Sequence, residues 1–218
     1  MNSIPRSAFL ALACALVIPA GGAVVSINFV GNAGANGSLA ATDTAGVVAA
    51  THWNNVTQSG VALVDGTGAA SAITATFTVG GWSSGIVTTE TADKRMMKGY
   101  LDVGGGNTTV TLNNLNPALT YRIYLYSDGE NTYVDAPVAR TGTFTIGTVA
   151  TGITDAPGEQ FEGTFRRVYP GTTGEGNYTV VTVTGSASYV IQARGTAADA
   201  TDNVFRAPIN GIQIETVE

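Results

Sequence analysis

The sequence predicts an all-β fold, a sandwich or barrel of short strands with at most one short helix. Stretches that alternate apolar and polar residues recur along the chain, and Gly, Asn and Pro separate them. The 28 glycines suit many tight turns. Only residues 89–98 have the composition of a helix. Helices therefore do not alternate with the strands as they do in parallel βαβ folds, and we expect antiparallel sheets.

The clearest strand prediction covers residues 121–126. Asn116 and Pro117 mark the turn before it, and Ser127, Asp128 and Gly129 form a turn directly after it. Successive side chains of a strand point to opposite faces. Both faces of this strand carry bulky residues, so it should be central in its sheet, with a second sheet on one side and a loop or ligand on the other.

The remaining elements are predicted by the same alternation. A helix is predicted over residues 89–98, with Thr88 or Thr89 as its N-cap and acidic residues in the first turn. Residues 72–79 should be half-buried, with Ile73, Ala75, Phe77 and Val79 on one face. The other predicted strands are residues 24–30, 61–64, 108–112, 140–146, 162–168, 178–183, 189–193 and 210–215.

The first 23 residues have the pattern of a secretory signal peptide. Arg6 precedes an apolar run that ends at Pro19, and small residues lead to a cleavage site after Ala23. Cleavage would leave residues 24–218, a length that fits a single β-sandwich domain. Cys14 is the only cysteine and would leave with the peptide. We therefore expect a secreted, disulfide-free protein at or beyond the cell surface, without thiol chemistry.

The low content of charged residues and the negative net charge limit the classes of partner that the chain is expected to bind. Charged residues make up 12% of the sequence, and the formal net charge is −6. An acidic chain with few lysines repels phosphate backbones, so nucleic acid is not an expected partner. No apolar segment is long enough to predict a membrane span. Low charge with abundant Gly and Thr also occurs in adhesive and fibrous secreted proteins.

Five short motifs carry a resemblance to a known type of domain. They are SINFVG at residues 26–31, WNN at 53–55, MMKGYLD at 96–102, YLYSDG at 124–129 and APINGIQI at 207–214. With them the chain resembles a secreted domain of environmental bacteria, of the type that often carries a PEP-CTERM sorting tail. The resemblance implies a jelly-roll sandwich similar to galactose-binding-like carbohydrate-binding modules. The last residues, Thr216 to Glu218, lack the Pro-Glu-Pro motif, so we expect free secretion rather than sorting by such a tail.

Sugar binding requires an aromatic face for the pyranose ring and polar side chains for its hydroxyl groups. Each candidate also has a structural interpretation, as a core aromatic, a loop cap or an ion pair that fixes a loop. The candidate ligand-binding residues are Trp53, Asn54, Asn55, Trp82, Tyr100, Asp128 and Arg140.

Catalytic residues are only weakly indicated. Ser83 lies in a G-x-S-x-G sequence, but a nucleophile elbow needs a helix directly after the serine and a later histidine, and the only histidine, His52, comes earlier. Asp128 and Glu130 are a candidate carboxylate pair, although they fall in a turn. Oxygen-rich residues 128–131 and 199–203 would suit a structural calcium ion, which the resemblance also allows.

These observations favour non-catalytic recognition of extracellular polysaccharide, with the ligand over residues 53–55, Trp82 and Asp128. One alternative is a structural protein of a matrix, surface layer or filament that self-associates through edge strands or through the strand beginning at Val24. The other alternative is a hydrolase or lyase that cleaves polysaccharide or ester bonds.

Overall fold

The computed structural model describes residues 23–129, 140–155, 160–196 and 205–217. These contain thirteen strands, one α-helix and a short 3-10 helix at Gly34–Gly37. The strands before the helix are β1 (Val24–Phe29), β2 (Asn54–Val56), β3 (Thr74–Phe77) and β4 (Gly81–Ser83), and the helix is α1 (Ala92–Lys98). After it come β5 (Gly99–Leu101), β6 (Asn107–Asn113), β7 (Thr120–Tyr126), β8 (Arg140–Ile146), β9 (Val149–Asp155), β10 (Thr173–Glu175), β11 (Tyr178–Thr184), β12 (Ser188–Gly195) and β13 (Gly211–Val217).

Two sheets contain most of these strands. The five-stranded sheet has the order β11-β7-β13-β1-β2, and the six-stranded sheet has the order β10-β9-β8-β12-β6-β3. Eight of the strands have six or more residues, and four of them lie in each sheet. All pairings among these eight are antiparallel, whereas the short strands β2 and β10 pair in parallel with β1 and β9. The first long strand pairs with the last, and consecutive strands often lie in different sheets, which is the arrangement of a jelly roll. The prediction of an all-β, jelly-roll sandwich is therefore confirmed.

The core between the sheets follows from strict alternation along the strands. On β7, Tyr121, Ile123 and Leu125 point into this core, while Tyr124 and Tyr126 point to the other face of the sheet. On the opposing sheet, β8 and β12 contribute residues such as Phe144 and Ile191, which are almost fully buried. The predicted position of residues 121–126 is thus confirmed, since β7 is paired on both sides and covered on both faces.

A second apolar cluster covers the outer face of the five-stranded sheet. Trp53, Met96 and Met97, from the segments before β2 and in α1, pack there against Tyr124 and Tyr126 of β7. The six-stranded sheet has no such cover over β6, β8 and β12 in the described chain, since the outward residues of these strands are exposed or half-buried. One sheet face is therefore left accessible.

Several predicted boundaries differ from the structure. The helix begins later than predicted, because the side chain of Thr91, not Thr88 or Thr89, accepts a hydrogen bond from the Lys94 amide and acts as the N-cap. Residues 61–64 form only an isolated bridge at Val64, and residues 162–168 only one at Arg167. Short strands β2, β4, β5 and β10 and the longer β9 were not predicted, because Gly and polar residues interrupt their alternation.

The predicted signal peptide and Cys14 lie almost wholly outside the described residues, so export stays a prediction. No described helix combines the length and apolar character needed to cross a bilayer. β1 lies between β13 and β2, but β2 pairs only with residues 27–29, so the first half of β1 has a strand partner on one side only. Self-association through this or another edge stays a prediction.

Candidate functional site

The predicted residues Trp53, Asn54 and Asn55 are engaged by the protein itself. The Trp53 side chain is buried, and its Nε1 donates to the carbonyl oxygens of Ala45 and Ala50. Asn54 donates to Ser26 and Val64 and accepts from the Val64 amide. Asn55 forms three side-chain hydrogen bonds, with Asn28 and with both backbone groups of Leu39. The three residues fix the loops that precede and follow β2.

Trp82 and Tyr100 face each other across the two-stranded sheet of β4 and β5. They are direct register partners, and the Trp82 side chain is 53% exposed. The exposed indole of Trp82 can still offer the aromatic face for which the sequence analysis selected it. Trp53 is instead buried, and its ring packs in the cluster on the outer face of the five-stranded sheet. The two predicted tryptophans therefore do not form one binding surface.

Asp128 and Arg140 come together at the ends of β7 and β8, and both are buried. They line a small cavity of about 20 Å³ together with Asp155 and Arg206. This volume holds about one water molecule, so a sugar ring does not fit. The Asp128 amide also donates to Oδ1 of Asn210 at 2.7 Å. The position of the two residues suits the fixing of loops at this end of the sandwich.

The weak catalytic candidates are distributed over separate parts of the fold. Ser83 pairs with Gly99 in the two-stranded sheet, and α1 does not begin until Ala92. His52 has a φ of 53°, and its Nδ1 lies 3.1 Å from Oγ1 of Thr51 and 3.2 Å from the Gly66 carbonyl. No hydrogen bond joins it to Ser83 in the described structure. Glu130 lies outside the described residues, as do residues 199–203 of the predicted calcium site.

Among the described residues, no three His, Cys, Asp or Glu side chains are grouped so that they could hold a metal ion. The other half of the predicted calcium set, residues 128–131, is described only through Gly129.

A groove with a volume of about 620 Å³ lies on the outer face of the six-stranded sheet. We call it the sheet groove. Its floor is formed by outward-pointing residues of three adjacent strands, β6, β12 and β8, and its walls by the loops at their ends. The residues that line it are Gly105, Gly106, Asn107, Thr143, Thr145, Gln192, Arg194, Gly195, Thr196 and Phe205.

The strand register places the polar side chains of the groove in neighbouring rows. Arg194 is the direct partner of Asn107 on β6 and of Thr143 on β8. Gln192 is paired with Thr145 one step further along. Because alternate residues of β12 point inward, Ile191 and Ala193 are buried while Gln192 and Arg194 are exposed. The groove thus presents hydroxyl, amide and guanidinium groups on a rigid sheet.

The polar groups of the groove floor differ from those of residues 53–55 in one decisive way. In the described structure, no hydrogen bond to another residue engages the side chains of Asn107, Thr143, Thr145, Gln192 or Arg194. The side-chain amides of Asn54 and Asn55 instead each form three hydrogen bonds within the protein. Phe205, which is 41% exposed, adds an apolar surface at one end. The sheet groove therefore offers free polar groups beside an aromatic ring.

Sequence reasoning missed the polar residues of the groove floor because each of them lies in an ordinary alternating strand. The available signal was the polar half of that alternation, for example Thr141, Thr143 and Thr145 on β8. The sequence does not show which strands lie side by side. Asn107 and Arg194 are far apart in the chain and meet only through the pairing of β6 with β12.

Asp102 holds two segments that form one wall of the sheet groove. Its carboxylate accepts hydrogen bonds from the Ala207 amide at 3.4 Å and from Nη1 of Arg206 at 3.3 Å. Nearby, the Gly105 amide donates to the Phe205 carbonyl at 3.0 Å. Burial of Asp102 raises the pKa of its carboxyl above the ordinary value of 3.8, although Ala207 and Arg206 act in the opposite direction.

The raised pKa of Asp102 predicts a pH-dependent effect of Asp102→Asn. The folded state retains the proton better than the unfolded state, so this group lowers stability as pH rises from the unfolded pKa near 3.8 through the folded value. Relative to the wild type, the variant should therefore gain stability across that window and keep the gain at neutral pH. Urea unfolding at a series of pH values measures this difference.

Asp43→Asn is the matched control for this effect. The pKa of the Asp43 carboxyl is lowered most by a hydrogen bond from the Ala40 amide, and a hydrogen bond from Arg95 lowers it further. The ionised Asp43 carboxylate stabilises the folded state above the pKa of the unfolded chain, and this stabilisation is lost as pH falls through the lower pKa of the folded state. This variant should therefore lose stability at neutral pH and approach the wild type in acid. The same trend with pH in both variants would contradict the assignment.

Comparison with family models, with curated proteins and with solved structures finds no match to this chain.

Proposed function

We propose that this protein binds a glycan in the sheet groove without cleaving it. The observation that carries the proposal is the row of polar side chains on β6, β8 and β12 that no hydrogen bond within the described protein engages. Hydroxyl and amide groups with free donors and acceptors are the partners that sugar hydroxyls require. Phe205 supplies the apolar surface on which one face of a pyranose ring can rest.

The shape and rigidity of the groove support the same function. A volume of about 620 Å³ lies within the range typical of ligand sites, about 300–1,000 Å³. The floor is formed by paired strands rather than by loops, so the backbone that carries its side chains is held in position before a ligand arrives. Such preorganisation reduces the entropic cost of binding.

The chemistry of the lining favours binding over catalysis. Glycoside hydrolysis generally needs two carboxyl groups on either side of the scissile bond. Among the lining residues that the structure describes there is no carboxylate and no histidine, and Arg194 is the one ionisable side chain. The groove therefore has hydrogen-bonding groups but no acid and base pair of its own.

The test is binding of the protein to a panel of soluble polysaccharides by affinity electrophoresis and calorimetry. At least one should bind, and the double variant N107A/Q192A should bind it at least about tenfold more weakly. Two lost hydrogen bonds of about 1 kcal/mol each account for an effect of this size.

The control is the double variant N36A/Q58A, which removes the same two side-chain types at exposed positions outside the groove. Its affinity should equal that of the wild type. If no polysaccharide binds, or if both double variants weaken binding equally, the proposal is wrong.

A further inference from the structure

Arg194 differs from every other Lys and Arg that the structure describes. Arg95, Arg122 and Arg206 form ion pairs with Asp43, Glu215 and Asp102. The two described lysines also have partners, since Lys94 lies near Glu90 and Glu162 and Lys98 donates to two backbone carbonyls. Arg167 lies over the ring of Tyr169. Arg140 and Arg166 have interactions of their own. Arg194 has neither an ion pair nor a hydrogen bond with any described residue.

The position of Arg194 makes this absence of partners meaningful. It lies on β12, between Asn107 of β6 and Thr143 of β8, on the floor of the sheet groove. None of the described residues that line the groove is a carboxylate that could neutralise it. An arginine without an ion pair is unexpected in this chain, because its 16 acidic residues outnumber its 10 basic ones and could supply a carboxylate partner for each. The guanidinium group is therefore available to a ligand.

We propose that the glycan bound in the sheet groove is acidic, and that Arg194 binds its anionic group. This inference rests on the proposed function and names the class of ligand. A guanidinium group presents its N–H donors in a planar fork that matches the two oxygens of a carboxylate, as in a uronic acid, and it also binds sulfate esters. Asn107 and Thr143 lie on either side and can donate to the same oxyanion or to adjacent hydroxyl groups.

The negative net charge of the protein means that attraction to an acidic glycan has to come from a local positive group. With a formal net charge of −6, the protein as a whole repels a polyanion. A preference for an acidic glycan over its neutral form must therefore come from a local contact. Arg194 is the only cationic residue among the described residues of the lining, so removing its charge should remove the preference.

The experiment compares glycans that differ only in charge. Binding to polygalacturonate is measured against its fully methyl-esterified form, and binding to dextran sulfate against dextran. We expect the affinity of the wild type for the acidic member of one pair to be at least tenfold higher than for the neutral member. A preference within the polygalacturonate pair identifies a carboxylate ligand, and a preference within the dextran pair identifies a sulfate ligand. R194Q should lose this preference, and R194K should retain part of it because it keeps the charge without the planar fork.

The control is R167Q, which removes an exposed arginine outside the groove and should keep the preference. Circular dichroism of each variant verifies that the fold is retained. If the wild type binds acidic and neutral members equally, or if R194Q keeps the preference, the inference is wrong while glycan binding in the groove stands. If no glycan of any kind binds, the proposed function fails and the inference fails with it.

Discussion

Replacing Asn210 by alanine should lower the free energy of unfolding by about 3 kcal/mol or more. The Asn210 side chain is fully buried. Its Nδ2 donates to the carbonyl oxygens of Met97 and Gly99 at 2.7 and 3.0 Å, and its Oδ1 accepts from the Asp128 amide at 2.7 Å. Alanine leaves all three backbone groups without this partner, and each unsatisfied buried group costs about 1–3 kcal/mol. Equilibrium unfolding in urea measures the loss.

Asn177→Ala is the matched control, because Asn177 makes similar bonds with access to water. Its Oδ1 accepts from the Arg166 amide, and its Nδ2 donates to the Thr164 carbonyl, in a partly exposed turn. Water can replace these partners, so the expected cost is about 1 kcal/mol or less. Equal costs for the two variants would show that burial of the Asn210 bonds is not what makes them important.

The long strands could be predicted from the sequence because their signal is local. On β8 and β12, each buried residue is followed by a more exposed one, and this alternation is visible without knowledge of the fold. The same reasoning predicted both faces of β7. It missed β9, where Thr151 and Gly152 are buried although neither is apolar. Thr151 is buried against Thr179 of the other sheet, a contact that no local pattern reveals.

The candidate site was harder to predict because residue type does not show which partners a side chain finds. Trp53, Asn54 and Asn55 have the composition of a sugar site, yet their partners include Ser26, Leu39 and Ala45, which other loops and β1 bring to them. Conversely, Gln192 and Arg194 are ordinary outward residues of one strand. They become candidates only once β6 and β8 are placed on either side of β12.

Tyr126→Ala should be among the most destabilising substitutions in the chain, with a loss of about 3–5 kcal/mol, as for other large buried aromatic residues. The ring is fully buried on the outer face of the five-stranded sheet and packs against Trp53, Phe165 and Tyr178. Its hydroxyl group donates to Oε1 of Gln213 and accepts from the Val47 amide.

Tyr126→Phe separates the two contributions, since it keeps the ring and removes only the hydroxyl group; the expected loss is about 1–2 kcal/mol. Tyr169→Ala is the control for loss of a tyrosine ring, because Tyr169 is 62% exposed and should cost about 0.5 kcal/mol or less. Urea unfolding gives all three values. Because the sheet groove lies on the other sheet, Tyr126→Phe should leave glycan affinity unchanged under conditions where the protein stays folded. A loss for Tyr126→Phe as large as that for Tyr126→Ala would mean that the buried hydrogen bonds, rather than ring packing, hold the loops over this sheet.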